Sequence, residues 1–139
     1  MPKVPMTTPD YLSKILRRAA HNGGITLKFN PNSKNKLRQV GGDYWYFPAF
    51  PDKTKIVTPE RLEPAFAEFT ATYAQELAWR GRYLGLWRNP KTGDYYPGIN
   101  IRATTKEQAL KRMEQINKVS KRRILAAYNP SRDTTVNTP

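Results

Sequence analysis

One order of sequence motifs occurs twice in this chain and limits the folds that are open to it. In the first half Asn30-Pro31 is followed by Gly42-Asp43-Tyr44, and in the second half Asn89-Pro90 is followed by Gly93-Asp94-Tyr95. Each pair of motifs lies between two apolar segments that suit β-strands, with helix-forming segments on either side. The order predicts two β-hairpins pairing in one antiparallel sheet, with the helices covering one face of it.

The expected strands cover residues 25–29, 43–50, 83–88 and 94–102, and residues 123–128 suit a closing strand. The first helix begins at Thr8-Pro9-Asp10, which combines an N-cap, a proline at the first helical position and an acid in the first turn. It ends at Asn22-Gly23-Gly24. Thr104-x-x-Glu107 matches a capping box and predicts the start of the last helix.

A long apolar stripe marks the middle helix and predicts the centre of the core. Leu62, Phe66, Phe69, Tyr73 and Leu77 follow one another at spacings of four, three, four and four residues, the spacing of one helix face. Because Pro64 disfavours the interior of a helix, we expect the regular helix to begin near Glu63 and to end around residues 79–81.

These patterns predict an α+β fold: a single compact domain whose antiparallel sheet, built from two hairpins, packs against about three helices. The domain is expected to cover residues 8–128, preceded by an extended arm at 1–7 and followed by a flexible tail at 129–139. The repeated motifs suggest an internal duplication of residues 8–80 and 81–128, with a chance match as the alternative. Hairpin-then-helix units with a Gly-x-Tyr strand resemble, in outline, antitoxin domains of the HicB type and the arm-binding modules of phage integrases. The resemblance transfers no function and no residue.

The net charge of +13 is divided unevenly along the chain. Residues 1–42 carry eight Lys or Arg and one acid, residues 43–79 carry three and six, and residues 80–139 carry thirteen and four. Basic segments of +7 and +9 therefore flank an acidic middle of −3. Such a field favours polyanionic partners: nucleic acid, a membrane surface or an acidic protein face.

Catalysis is poorly supported by the residues present. His21 is the only histidine and there is no cysteine, so a histidine pair for a metal and a thiolate site are both excluded. The acids are scattered, and no phosphate-binding glycine motif or nucleophile motif occurs. We therefore expect no catalytic residues, no metal and no cofactor. The absence of a long apolar run predicts a cytoplasmic protein that does not enter a membrane.

The candidate binding residues fall in two basic segments. The Asn32–Gly42 loop carries Lys34, Lys36 and Arg38, whereas the corresponding second turn has only Lys91 and Thr92 between its motifs. The enlarged loop suits a nucleic-acid groove, although surface loops are also lysine-rich because water solvates them. The second segment lies along and after the last helix, where cations can also simply complement a helix C-terminus; its residues are Lys111, Arg112, Lys118, Lys121, Arg122 and Arg123.

The aromatic run at residues 44–47 has two interpretations. Alternation along a strand places Trp45 and Phe47 on one face, in the core, and Tyr44 and Tyr46 on the other. The two tyrosines would either stack on unpaired bases or cover a second layer of the protein.

The leading interpretation is a small basic, non-catalytic regulatory protein that binds nucleic acid, DNA or RNA, or a nucleic-acid machine. The alternative is a protein-binding factor without direct nucleic-acid contact, for example a phage-type modulator that binds an acidic surface on a larger gene-expression complex or on host defence machinery. A structural or ribosome-associated component is a third option. No membrane and no small-molecule cofactor is expected among its partners.

Overall fold

A seven-stranded antiparallel sheet with four α-helices forms the fold, as seen in a computed structural model that describes residues 9–30 and 37–138. The helices are α1 (Pro9–Asn22), α2 (Leu62–Thr72), α3 (Ala74–Leu77) and α4 (Lys106–Val119). The strands are β1 (Gly24–Phe29), β2 (Leu37–Gln39), β3 (Trp45–Pro48), β4 (Tyr83–Arg88), β5 (Tyr95–Ala103), β6 (Ala126–Asn129) and β7 (Thr134–Asn137). Their order in the curled sheet is β2-β1-β4-β5-β3-β6-β7. The predicted α+β class with an antiparallel sheet is confirmed.

Strand pairing differs from the expectation in the first half of the chain. Strand β1 pairs with β2 and β4, whereas β3 pairs with β5 and β6. The expected hairpin between residues 25–29 and 43–50 therefore does not form. The reason is β2, a strand of three residues inside the segment predicted to be a loop, which occupies the free edge of β1. In the second half β4 and β5 do pair, from Tyr83 with Asn100 to Arg88 with Tyr95.

Three pairs of consecutive strands have an Asn-Pro sequence at the end of their first strand or directly after it. The pairs are β1–β2, β4–β5 and β6–β7. In the second turn the side-chain oxygen of Asn89 accepts a hydrogen bond from the Lys91 N–H at 2.9 Å. In the third, that of Asn129 accepts from the Ser131 N–H at 3.0 Å. An asparagine that binds the backbone two residues later closes a turn locally, and the proline between them fixes φ. Gly42-Asp43 lies instead in the β2–β3 connection, so the two Gly-Asp-Tyr motifs are not equivalent in the sheet.

All four helices cover one face of the sheet. On β5, Ile99 belongs to a core cluster beneath α1, α2 and α3. Ile101, two residues later on the same face, packs against a second cluster beneath α4 that contains Trp45 and Phe47. The arrangement of the helices on one face is as the sequence predicts. Of the aromatic run at residues 44–47, Trp45 and Phe47 point to this face.

The apolar stripe of the middle helix lies in the first cluster, with Leu62, Phe66, Phe69 and Leu77 buried. The helix is not continuous, however. It follows a 3-10 turn at Pro59–Arg61 and is interrupted at Tyr73, where φ is −108° and ψ is 22°. Tyr73 is consequently only half-buried, and the predicted single helix is two helices, α2 and α3.

The cap of α4 lies one residue later than predicted. Thr105 is the N-cap, and its hydroxyl oxygen accepts a hydrogen bond from the Gln108 N–H at 3.1 Å. Thr104 instead donates its hydroxyl to the Gln108 side chain at 2.6 Å. The N-cap bond that a capping box requires is therefore present, moved by one residue, whereas the Gln108 side-chain oxygen accepts from Thr104.

The C-terminal segment from residue 129, which the sequence predicts as a flexible tail, contains β7 in the structure. The carboxylate of Asp43 accepts two hydrogen bonds from the Arg132 guanidinium, at 2.8 and 3.0 Å, and a third from the Asn129 amide at 2.8 Å. These bonds join the β2–β3 connection to the β6–β7 turn. The predicted arm at residues 1–7 and the Thr8 cap lie outside the described residues. Within the described part of the chain, no helix combines the length and apolar character needed to cross a membrane.

The contacts of Asp43 make the folded protein less stable at low pH. Hydrogen bonds from Arg132 and Asn129 lower the pKa of Asp43 from 3.8 to about 2. Because the pKa of Asp43 is lower in the folded protein than in the unfolded chain, its ionised carboxylate stabilises the folded state at pH values above 3.8. That contribution is lost as the pH falls through the folded-state pKa of about 2. We expect Asp43→Asn to melt at a lower temperature than the parent at pH 7, with the gap closing between about pH 4 and pH 2. Thermal melts across this range measure it, and a gap independent of pH would contradict the assignment.

Candidate functional site

A groove lies on the helix-covered face between α4 and the loop at residues 79–82. It consists of two adjoining depressions of about 610 and 430 Å³, which share Gly81, Ile101 and Arg112. Its cationic lining side chains are Arg80, Arg82, Lys111 and Arg112. Arg102 also lines it, but its guanidinium contacts Tyr44 and Tyr46 on the other face of the sheet. No Asp or Glu is among the described residues that line it. We call this surface the basic groove.

One wall of the basic groove is a single face of α4. Gln108, Lys111, Arg112 and Gln115 line it, and their spacing of three, one and three residues places them on one side of a helix. The opposite face of α4 carries Ala109 and Met113, both fully buried in the second cluster. Burial of this apolar face therefore directs the two cations into the groove.

The other wall is held in place by Lys28 on β1. Its ammonium donates hydrogen bonds to the carbonyl oxygens of Trp79 at 2.6 Å, Arg82 at 2.9 Å and Leu77 at 3.4 Å. A cation at the last carbonyls of a helix is favourable, and here it also fixes the loop that follows α3. Partial burial lowers the pKa of Lys28. Gly81 in this loop has a φ of +77°, a conformation that favours glycine. Lys28 and Gly81 together position the flanking arginines, Arg80 and Arg82.

Aromatic rings lie at the edge of the groove among these cations. Phe50 is 36 % exposed, with the Arg82 guanidinium 4.9 Å and the Lys53 ammonium 5.1 Å from its ring centroid. Trp79, next to Arg80 in the chain, is 57 % exposed. The site therefore combines positive charge with accessible π surfaces.

Of the predicted basic residues, Lys111 and Arg112 lie in the basic groove. Those after α4 form a separate patch. Lys118 and Arg123 line a small depression that also contains Glu114. The Asp52 carboxylate accepts hydrogen bonds from the backbone N–H groups of Lys121 at 3.3 Å and Arg122 at 2.7 Å.

The Arg122 guanidinium donates to the main-chain carbonyl of Thr54. The patch after α4 is thus partly neutralised by Asp52 and Glu114, unlike the groove. Arg38 is exposed on β2, at one edge of the sheet, whereas α4 packs against β3 and β5 further along it. Lys34 and Lys36 lie outside the described residues, so a contact role for their loop stays a prediction.

The two tyrosines predicted as aromatic contacts lie on the face of the sheet away from the helices. Tyr46 is only 2 % exposed, and burial raises its pKa. Its hydroxyl donates to the Gly41 carbonyl at 3.3 Å, and its ring meets that of Tyr83 edge-on at 5.2 Å. Tyr44 is half-buried under Arg102. Tyr46 is therefore part of a covering layer on that face, and a role for either tyrosine as a base contact stays a prediction.

Sequence reasoning missed Lys53, Arg80 and Arg82 as members of one surface. Trp79-Arg80-Gly81-Arg82 was the available indication, because two arginines flank a glycine directly after a helix. Nothing in the sequence connects that loop to α4 or to Lys28. In the part of the chain that the structure describes, no three His, Cys, Asp or Glu side chains cluster closely enough to hold a metal ion.

No protein-family model, curated protein or solved structure matches this chain. The features that bear on function are therefore those of the site itself.

Proposed function

We propose that this protein binds nucleic acid, DNA or RNA, without catalysing a reaction, and that the basic groove is its principal contact. The observation that carries the proposal is the set of four lysine and arginine side chains, Arg80, Arg82, Lys111 and Arg112, that line one groove without a carboxylate among the described lining residues. Three of the four are arginines, whose planar guanidinium groups pair with phosphate oxygens through two parallel hydrogen bonds. Contacts of this kind position a protein on a nucleic-acid backbone.

The aromatic rings beside the groove support contact with bases as well as phosphates. Trp79 and Phe50 are exposed and lie next to Arg80 and Arg82 in the chain or in space. Bases stack on such rings where a strand is unpaired, and this stacking adds about 1–3 kcal/mol per base. A regulatory role in the cytoplasm suits a small basic protein with such a surface.

A second candidate is a protein-binding factor that contacts an acidic surface on a larger gene-expression complex. It is favoured by large apolar side chains that remain exposed: Ile56, Trp79, Val119 and Leu125. Aromatic and apolar residues among arginines are typical of the centre of a protein interface. Both candidates are electrostatic, so salt dependence alone does not separate them.

The separating experiment pairs two measurements on the intact chain. Mobility shifts with naked single- and double-stranded DNA and RNA of equal length test direct binding. Capture of partners from lysate, with and without nuclease treatment, tests protein binding. We expect a shift at low ionic strength, a log–log salt slope of about −0.9 per contacted phosphate on duplex DNA and about −0.7 on single strands, and nuclease-sensitive capture. Nuclease-resistant capture without any mobility shift would replace the first proposal by the second.

A further inference from the structure

A cavity of about 270 Å³ lies on the face of the curled sheet away from the helices. Because successive side chains of a strand point to opposite faces of the sheet, the strand side chains that point to this cavity lie on the face away from the core. On β5, Ile99 points to the helices, whereas Tyr96 and Asn100 line the cavity. Its size is near the lower end of small-molecule sites, which span about 300–1,000 Å³. None of the cationic residues of the basic groove lines it.

Two glycines facing each other across β4 and β5 make room for the polar groups of the cavity. Gly85 is the register partner of Gly98. A Cβ atom at Gly85 would overlap the side-chain amide of Asn100, and one at Gly98 would lie 3.1 Å from the hydroxyl oxygen of Thr54. The paired glycines therefore let Asn100 and Thr54 fold over the sheet beside the cavity.

Thr54 is the residue that most suggests a ligand. The residue lines the cavity and is 7 % exposed. Its hydroxyl is buried and has no hydrogen-bond partner among the described residues. A buried hydroxyl without a hydrogen-bond partner destabilises a protein. Its position beside a cavity therefore points to a ligand whose polar group would form the missing hydrogen bond. Asn100 adds an amide that offers one acceptor and two donors.

The residues that line the walls and the mouth of the cavity indicate which kind of ligand would fit it. Trp87 and Tyr96 meet edge-on at 5.3 Å in the wall, and Tyr128 adds a third ring. Arg122 and Arg123 also line the cavity but are exposed, so they lie at its mouth. A planar ring with hydrogen-bonding edges and an anionic group outside the ring fits this arrangement.

We propose that the cavity binds the base of a nucleotide. The base lies among the aromatic walls, its hydrogen-bonding edge contacts Asn100 and Thr54, and its phosphate lies near Arg122 and Arg123. Aromatic stacking and contacts to the exposed edges are how proteins recognise unpaired bases. The nucleotide is either a free mononucleotide or an unpaired nucleotide of a longer strand. Because a free mononucleotide satisfies it, the proposal does not depend on the basic groove.

The test is calorimetric titration of the intact protein with the four common ribonucleoside 5′-monophosphates. Ribose 5-phosphate and inorganic phosphate are the base-free controls. We expect at least one monophosphate to bind saturably and neither control to do so. A second set of titrations uses duplexes with and without one unpaired terminal nucleotide, and binding confined to the overhanging duplex identifies a strand as the source.

Two variants connect this binding to the cavity. Asn100→Leu keeps the approximate size and removes the amide, and we expect it to weaken nucleotide binding about tenfold or more. Thr54→Val is expected to weaken binding while raising the melting temperature of the free protein, because it removes an unpaired hydroxyl. Thr70→Val is the matched control. The Thr70 hydroxyl donates to the Ala67 carbonyl at 2.9 Å, so its loss should lower the melting temperature and leave binding intact.

Two results would overturn the proposal. The first is a complete lack of binding by every monophosphate and every overhanging duplex. The second is nucleotide binding that both cavity variants leave unchanged. Neutral replacements in the basic groove should leave monophosphate binding intact, so failure of the groove and failure of the cavity are distinguishable.

Discussion

Replacing Phe66 by alanine is expected to lower the free energy of unfolding by about 3–5 kcal/mol. The side chain is fully buried in the cluster beneath α1, α2 and α3. Truncation removes its apolar contacts and leaves a cavity that a close-packed interior fills only in part. Chemical denaturation, followed by the change in midpoint at an unchanged slope, measures the effect.

Neighbouring residues on α2 supply the controls for this prediction. Phe69 is 2 % exposed and packs against Tyr73 with ring centroids 4.8 Å apart, so Phe69→Ala should have a similarly large effect. Glu68 is exposed between the two, and Glu68→Ala should change stability by no more than about 0.5 kcal/mol. If Phe66→Ala unfolded at the same midpoint as the parent, α2 would not be packed on the sheet and its apolar face would be accessible to a partner.

The burial of this stripe was predictable because helical periodicity is a local property of the sequence. The β4–β5 strand pair was similarly local, since one short turn joins its strands. The interruption at Tyr73 was not, because no proline or glycine there marks it. Nor did the sequence reveal β2, whose three residues are too few to show alternation.

Pairing between distant strands depends on the whole sheet, and this is why the first half of the topology was predicted wrongly. Strands β3 and β5 pair although 46–48 and 100–102 are far apart in sequence. The third Asn-Pro turn, at Asn129, used the same chemistry as the other two and was available in the sequence. The internal duplication of residues 8–80 and 81–128 stays a prediction, although its two Gly-Asp-Tyr motifs occupy different places in the sheet.

The candidate site was predictable only in part for the same reason. Lys111 and Arg112 are recognisable in the sequence as neighbours on a helix. Arg80 and Arg82 lie in the groove because α3 ends just before them and because Lys28 holds their loop by hydrogen bonds, neither of which the sequence shows. The accessibility of Tyr46 was likewise a tertiary property. It depends on the Gly41 carbonyl, Tyr83 and Arg102, none of which adjoins Tyr46 in sequence.

Replacing Arg80, Arg82 and Arg112 together by glutamine is expected to weaken nucleic-acid binding by roughly a few hundred-fold at about 0.1 M salt. Each phosphate contact contributes about −0.9 to the log–log salt slope on duplex DNA, so three lost contacts should reduce the slope by about 2.7. Salt concentration changes by one logarithmic unit between about 1 M and about 0.1 M. A slope of about 2.7 over that interval makes the three contacts worth about 2.7 logarithmic units of affinity at about 0.1 M salt, which is the few hundred-fold loss expected. Mobility shifts at several salt concentrations measure both quantities.

The control is a variant with the same change in net charge away from the groove. Lys14, Arg17 and Lys91 are exposed and line neither depression of the groove, so their replacement by glutamine should reduce the slope much less. Both triple variants should melt close to the parent, because surface charges contribute little to stability and the contact of Arg82 with Phe50 contributes only about 0.5–1 kcal/mol. Equal losses of affinity in the two variants would mean that net charge alone drives binding, since only a localised interface makes the position of the three charges matter.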